Sequence, residues 1–268
     1  MLAMAGCAAP SPFDSRRFTL LPADALLLGE QHDAAEHQQL ERRTVEWLAS
    51  RGELAALAIE MAEQGRDTTA LSSNATEDEV RAALAWPEQG WPWPAYAPVV
   101  MAAVRAGVPV LGANLPQANL GEAMRDATLD ASLPPTALQR QLRQIREGHC
   151  NALPEAQLLP MTRVQIARDR AMAGTVTGAR QPGRVVLLVA GNGHVQRSLG
   201  VPMYLPPEVK SKVVSALAMP APDTAASEAV DEPNISDADL IWLTPPVPPR
   251  DYCAEVKPSP VPDPGLPH

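Results

Sequence analysis

Four short clusters of titratable and coordinating residues are spread along the 268-residue chain, each directly behind an apolar run. Glu30-Gln31-His32-Asp33 follows Ala25-Leu26-Leu27-Leu28-Gly29. Glu60 follows the run from Leu54 to Ile59. Asn114 follows Val108-Pro109-Val110-Leu111-Gly112-Ala113, and Gly191-Asn192-Gly193-His194 follows the run from Arg184 to Ala190. If the chain is still extended at Glu30 and His32, a repeat of two places both side chains on one face. Two imidazoles and two carboxylates facing one another (Glu30, His32, Glu60 and His194) form a candidate divalent-metal or general-base cluster. Strand ends also carry polar residues simply because the chain leaves the core there. Four such ends in one chain point to one shared polar site. Gly191-Asn192-Gly193 is not a dinucleotide fingerprint, because the third glycine position is Gln196. The chain has no P-loop and no G-x-S-x-G elbow.

The apolar runs before these clusters read as buried strands at 25–29, 54–59, 108–113 and 184–190, with later strands at 213–218 and 239–243. Helices are expected at 34–51, at 96–106, at 135–148 and at 154–178, with helical pieces over 63–85. Asp33 reads as the N-cap of the first, with Glu36 completing a capping box. His37, inside that helix, reads as a surface residue, and His149 as a structural one. Strands alternating with helices predict an α/β domain with a mainly parallel central sheet flanked by helices. In such sheets sites form beyond the carboxyl ends of the strands, where the four clusters fall.

The chain carries 22 Lys+Arg against 31 Asp+Glu, a net charge of -9. That balance, with no basic run, excludes a nucleic-acid binder. No stretch of about 18 apolar residues is present to form a transmembrane helix. Twelve of the 29 prolines fall in residues 220–268, which marks an extended Pro-rich tail. The expected organisation is a linker over 1–18, one domain over 19–219, and a tail over 220–268 that holds one strand.

Ala5-Gly6-Cys7 resembles the lipobox of bacterial lipoproteins, in which the chain is cut before the Cys and lipidated on it. A signal peptide needs a charged start and a longer apolar stretch than the six residues before Cys7, so the expected start lies upstream. Ala8 stands where an inner-membrane lipoprotein carries Asp, which favours the outer membrane. With Cys7 lipidated, Cys150 and Cys253 remain as a candidate disulfide in an oxidising compartment.

Several motifs occur in order. They are Leu28-Gly29-Glu30-Gln31-His32-Asp33, Ala58-Ile59-Glu60-Met61, Trp91-Pro92-Trp93 with Tyr96-Ala97-Pro98, and Ala113-Asn114-Leu115-Pro116. Gly148-His149-Cys150, Met161 with Gln165 and Arg168-Asp169, Ala190-Gly191-Asn192-Gly193-His194-Val195, and Gly200-Val201-Pro202 come after them. Over about residues 19–206 this pattern resembles the ChaN-like haem-binding lipoproteins, related to the Tiki/TraB and erythromycin-esterase-like proteins. The resemblance implies haem binding in iron uptake without catalysis, on the periplasmic side of the outer membrane, as a homodimer served by an outer-membrane haem-uptake receptor. It implies haem at the dimer interface, its iron held by a Tyr of one subunit and its propionates met by a His of the other. Tyr96 is the first candidate ligand and Tyr204 the second, with Tyr252 in the tail. His32, His194 and Asn114 are the further candidate haem contacts, and Trp91, Trp93, Met101 and Met203 candidate apolar walls. The related Tiki-like proteins imply a second reading, a metal-dependent hydrolase built on Glu30, His32, Glu60 and His194, in which a divalent cation activates water.

Overall fold

The computed structural model describes residues 17–220, 237–248 and 250–255. Six strands, β1 (Ala25–Glu30), β2 (Leu54–Glu63), β3 (Val110–Asn114), β4 (Val185–Gly191), β5 (Ser211–Ala218) and β6 (Leu240–Thr244), form one sheet. Its order is β3-β2-β4-β1-β5-β6 and every neighbouring pair is parallel. The helices are α1 (Ala35–Ser50), α2 (Glu77–Leu84), α3 (Trp93–Arg105), α4 (Leu120–Arg125), α5 (Pro135–Gly148), α6 (Glu155–Gly178) and the single turn α7 (Asn192–Val195). Among the described residues, no helix is long and apolar enough to cross a membrane.

Alternation along each strand sorts side chains between two cores. Leu26 and Leu28 of β1, Leu57 and Ile59 of β2, and Leu187 and Val189 of β4 pack under α1, α2 and α3. Leu27, Ala56, Ala58, Val186, Leu188 and Ala190 pack on the opposite face, against Met172, Ala173 and Val176 of α6. The small residues on that face let α6 lie close to the sheet. Truncating one fully buried leucine such as Leu28 to Ala would cost about 2–5 kcal/mol.

The order of strands fixes where a site can form. From the sheet centre, β2 and β3 lie to one side and β5 and β6 to the other. A crevice therefore opens at the carboxyl ends of β1 and β4. Register brings the polar residues level there. Leu28 and Ile59 both pair with Val189, and Glu30 pairs with Gly191.

Three details differ from the sequence reading. The N-cap of α1 is Ala34, with no side-chain cap, because the Asp33 carboxylate is taken by the Tyr252 hydroxyl. His37 is fully buried rather than on the surface. Its Nδ1 accepts the Gln31 N–H at 2.9 Å, so Nε2 carries the proton and donates to Thr244 Oγ1 at 2.9 Å. Burial holds its pKa below the usual imidazole value. The span 63–85 yields only α2, started by a Thr76/Glu79 capping box.

Strand β6 lies inside the segment read as a tail, yet it pairs with β5 from Val214↔Leu240 to Ala218↔Thr244. Leu240, Trp242 and Thr244 turn inward while Leu243 is exposed, the alternation of a half-buried edge strand. Arg197 and Lys212 both pair with Asp239 at its start. The packed unit therefore continues beyond residue 219. Cys150 and Cys253 form a disulfide across a sequence separation of 103. Cys7 lies outside the described residues.

Candidate functional site

Glu30 ends β1 on the same parity as Leu26 and Leu28, so it faces the helices α1 and α3. Tyr96 of α3 donates its hydroxyl to Glu30 Oε1 at 2.8 Å, and Gln38 of α1 donates to Oε2. Three residues beyond Gln38, Glu41 is wholly buried and no donor reaches either of its oxygens. Burial, with the adjacent Glu30 charge, pushes the Glu41 carboxyl well above the usual range. Glu41 thus favours its neutral form beside Glu30. Burial works to raise Glu30 as well, but hydrogen bonds from His32 and Glu41 outweigh it and hold that carboxyl low. Glu30 is the ionised member of the pair.

Glu60 belongs to the other parity of β2, with Ala56 and Ala58, and faces α6. Its Oε2 accepts the Gly191 N–H at 2.7 Å, and its Oε1 lies 3.3 Å from His194 Nε2. His194 Nδ1 sits 2.6 Å from Asp169 Oδ1 of α6, with Gln165 one turn earlier at 3.2 Å from the ring. Burial opposes a charge on His194, yet the Glu60 and Asp169 carboxylates raise its pKa to about 10. Burial likewise works against ionised Glu60, but the His194 charge and the Gly191 N–H bring it down to about 2. Burial dominates at Asp169, which rises to about 6. At neutral pH the three form a carboxylate–imidazolium–carboxylate chain.

Close approach positions the imidazole. A side chain at Gly29 would strike Asn192 and Val195 at about 2.4–2.5 Å, and one at Gly200 would strike the His194 carbonyl at 2.0 Å. Only glycine lets α7 lie this close to β1.

His32 bridges the two halves. Its Nδ1 is held 2.7 Å from Glu30 Oε1, and its Nε2 stands 3.9 Å from Glu60 Oε2, beyond hydrogen-bond length. The ring is 39% exposed and packs edge-on against Trp91 at 4.6 Å. A side chain on Gly191 would come within 2.8 Å of Nε2, so the missing Cβ leaves that nitrogen room. Burial lowers the His32 pKa, but the Glu30 hydrogen bond and the Glu60 charge raise it overall.

The structure thus brings Glu30, His32, Glu60 and His194 into one network, but not as a metal site. Among the described residues, no group of three or more His, Cys, Asp and Glu is disposed to hold a metal ion. The reason is mutual satisfaction. The carboxylates and all but one of the four ring nitrogens are turned onto one another.

Tyr96, the first candidate haem ligand, lies on α3 beside Glu30. It is 3% exposed and gives its proton to Glu30, and burial with the Glu30 charge pushes its pKa far up. Tyr204 packs half-buried against the α6 face, with a hydroxyl that has no hydrogen-bond partner and a raised pKa from burial. Asn114 ends the edge strand β3, opposite Glu63, with its Oδ1 buried and unpartnered. Neither joins the Glu30–His32 group. Trp93 and Met101 line a groove of about 990 Å³ between α1 and α3, away from His32. Met203 is exposed, and of these four walls only Trp91 packs on His32. His149 is bonded through Nδ1 to the Ile145 carbonyl, a structural contact at 2.7 Å.

Gln38, Glu41, Gln165 and Asp169 received no role from the sequence. A signal was present. Gln38, Glu41, Val45 and Leu48 form one buried stripe of α1, and Thr162, Ile166, Asp169, Ala173 and Val176 one of α6. A carboxyl on an apolar stripe needs a buried partner.

The family model of haem-binding uptake proteins, Tiki superfamily, ChaN, matches residues 19–205. The structure of ChaN of Campylobacter jejuni, described as binding haem cofacially, is similar with a TM-score of 0.66 and 23% identity. That alignment covers 76% of this chain and 86% of that one. An erythromycin esterase mutant, EreC H289N, aligns at a TM-score of 0.44 and 15% identity over 79% and 77% of the two chains. The type III effector HopBA1 aligns at 0.44 and 14% over 84% and 88%. No curated protein matches the chain.

Proposed function

This chain belongs to the ChaN family of haem-binding uptake proteins in the Tiki superfamily, and from that membership we propose that it binds ferric haem at the β1/β4 rim through His32. The observation that carries this reading is His32 Nε2, the one ring nitrogen of the rim network that no carboxylate holds within hydrogen-bond length. A bare divalent ion needs three or four converging protein donors. Iron already held by a porphyrin needs only an axial donor. His32, with a ring 39% exposed and Nδ1 held by Glu30, would meet that need through Nε2. A carboxylate on the far nitrogen orients a ligating imidazole and raises its basicity. Trp91 beside it offers an aromatic wall. When bound, haem would supply the iron that uptake delivers, and this chain's own residues would serve to hold it.

The family pattern supplies the rest of the proposal. The protein is a non-catalytic carrier, anchored through a lipid on Cys7 to the outer membrane and facing the periplasm. It acts as a homodimer that takes haem from an outer-membrane receptor. The Cys150–Cys253 disulfide supports an oxidising compartment.

The test is an absorbance titration of the chain with ferric haem. The expected result is a saturable Soret shift. A linear, unsaturated response equal to that of haem alone would overturn the proposal. Sedimentation of the haem-loaded chain checks the dimer, and a monomer at saturation would remove it.

A further inference from the structure

The chain after β6 does not leave the domain. Strand β6 ends at Thr244 on the carboxyl side of the sheet, two strands from β1. Three contacts fasten this end of the chain to the rim. Thr244 itself bonds to His37 of α1. The Tyr252 hydroxyl donates to Asp33, the residue next to His32. Cys253 is bonded to Cys150, which precedes α6 on the same side of the sheet. Arg250 lies over the Tyr252 ring, 5.2 Å from its centre. The described residues 250–255 are therefore held at the rim near β1, and 245–248 continue from the end of β6. Both lie outside the region matched by the family model.

We propose that the described residues 250–255 form a disulfide-latched strap that borders the His32 rim, with Tyr252 as its inner contact and the Cys150–Cys253 bond as its latch. Covalent closure removes the entropy that would otherwise free such a segment. The Tyr252–Asp33 bond alone is exposed and weak. The latch holds it made. Access to His32 is thereby restricted from the β5/β6 side and left to the side of the Trp91 loop. This inference does not rest on the identity of the ligand, so its test uses none.

The experiment measures carbethoxylation of His32 by diethyl pyrocarbonate, resolved by peptide mass, with buried His194 as the internal control. Two variants are compared with the parent chain. The pair Cys150→Ser with Cys253→Ser unlatches the strap, and Tyr252→Phe removes only its inner contact. The expected result is a His32 rate about tenfold higher in the unlatched chain and about threefold higher in Tyr252→Phe, with His194 unchanged, as for local opening. If His194 also becomes reactive in the cysteine pair, that variant has loosened globally and Tyr252→Phe decides. A His32 rate unchanged in Tyr252→Phe, together with an unchanged or globally raised rate in the cysteine pair, would overturn the proposal.

Discussion

The two carboxylates of the rim have opposite surroundings. Glu30, on the α1/α3 side, is held by the His32 ring and by two neutral donors, the Tyr96 hydroxyl and the Gln38 amide, beside the buried Glu41. Glu60, on the α6 side, is held by a charge, the His194 imidazolium, and by the Gly191 N–H. One residue of strand parity decides which environment each meets. Burial works to raise Glu30, and hydrogen bonds from His32 and Glu41 outweigh it, so Glu30 stays a strong acceptor for His32. The charged chain fixes His194 so firmly that it has no nitrogen to offer a ligand. The first half orients the His32 ring; the second half is a strut.

Breaking the strut should have the largest effect. Glu60→Gln leaves a buried imidazolium with one carboxylate, and we expect a loss of about 3–5 kcal/mol in urea unfolding at neutral pH. A loss below about 1 kcal/mol would show that His194 is neutral in the folded chain. On the other side, Glu30→Gln should cost about 1–3 kcal/mol, since donors built for a carboxylate lose it. Glu41→Gln should stay within about 1 kcal/mol because the residue it replaces is already neutral. A much larger loss at Glu41 would mean that it is the ionised member.

The pH dependence sharpens the same contrast. His194 rises from 6.5 to about 10 on folding. Its stabilisation is complete below pH 6.5 and is lost as pH climbs toward 10. Glu60 falls from 4.5 to about 2, so its stabilisation is complete above 4.5 and is lost as pH drops toward 2. Asp169, raised from 3.8 to about 6, works the other way and costs stability as pH rises through that window. Stability curves of the parent and of His194→Gln check this. The alkaline decline should flatten in the variant, and an identical decline would contradict the assignment. Smallest of all is Tyr96→Phe. It removes one hydrogen bond, about 1 kcal/mol, and should leave the haem spectrum unaltered. A changed spectrum would return Tyr96 to the ligand set.

Much of this was legible in the sequence because it is local. The apolar runs at Leu26-Leu27-Leu28 and at Val185 to Val189 can only be buried strands, and the polar residues behind them fall on one rim by topology. Pairings across long separations were not legible. His37 looked like a surface residue because its partner, Thr244, is 207 positions away. Asp33 looked like a cap because Tyr252 lies 219 positions away. The strand expected at 239–243 is present as β6, but its pairing with β5 across the proline-rich stretch is a long-range contact that residue pattern alone does not give. At the site, residue types alone could not tell a metal cluster from a network in which acids and imidazoles satisfy one another. That distinction is one of orientation, such as which nitrogen of His32 faces Glu30.

Haem binding by this chain is proposed to rest on His32. The most direct measurement is a ferric-haem titration of His32→Ala beside the parent, followed by optical and electron paramagnetic resonance spectra. We expect at least a tenfold weaker affinity, about 1.4 kcal/mol, and loss of the imidazole signature without loss of folding. We also expect that haem affinity in the parent falls as acid protonates His32, whose pKa is raised. An alanine variant that binds haem with the parent's affinity and spectrum would contradict the proposal.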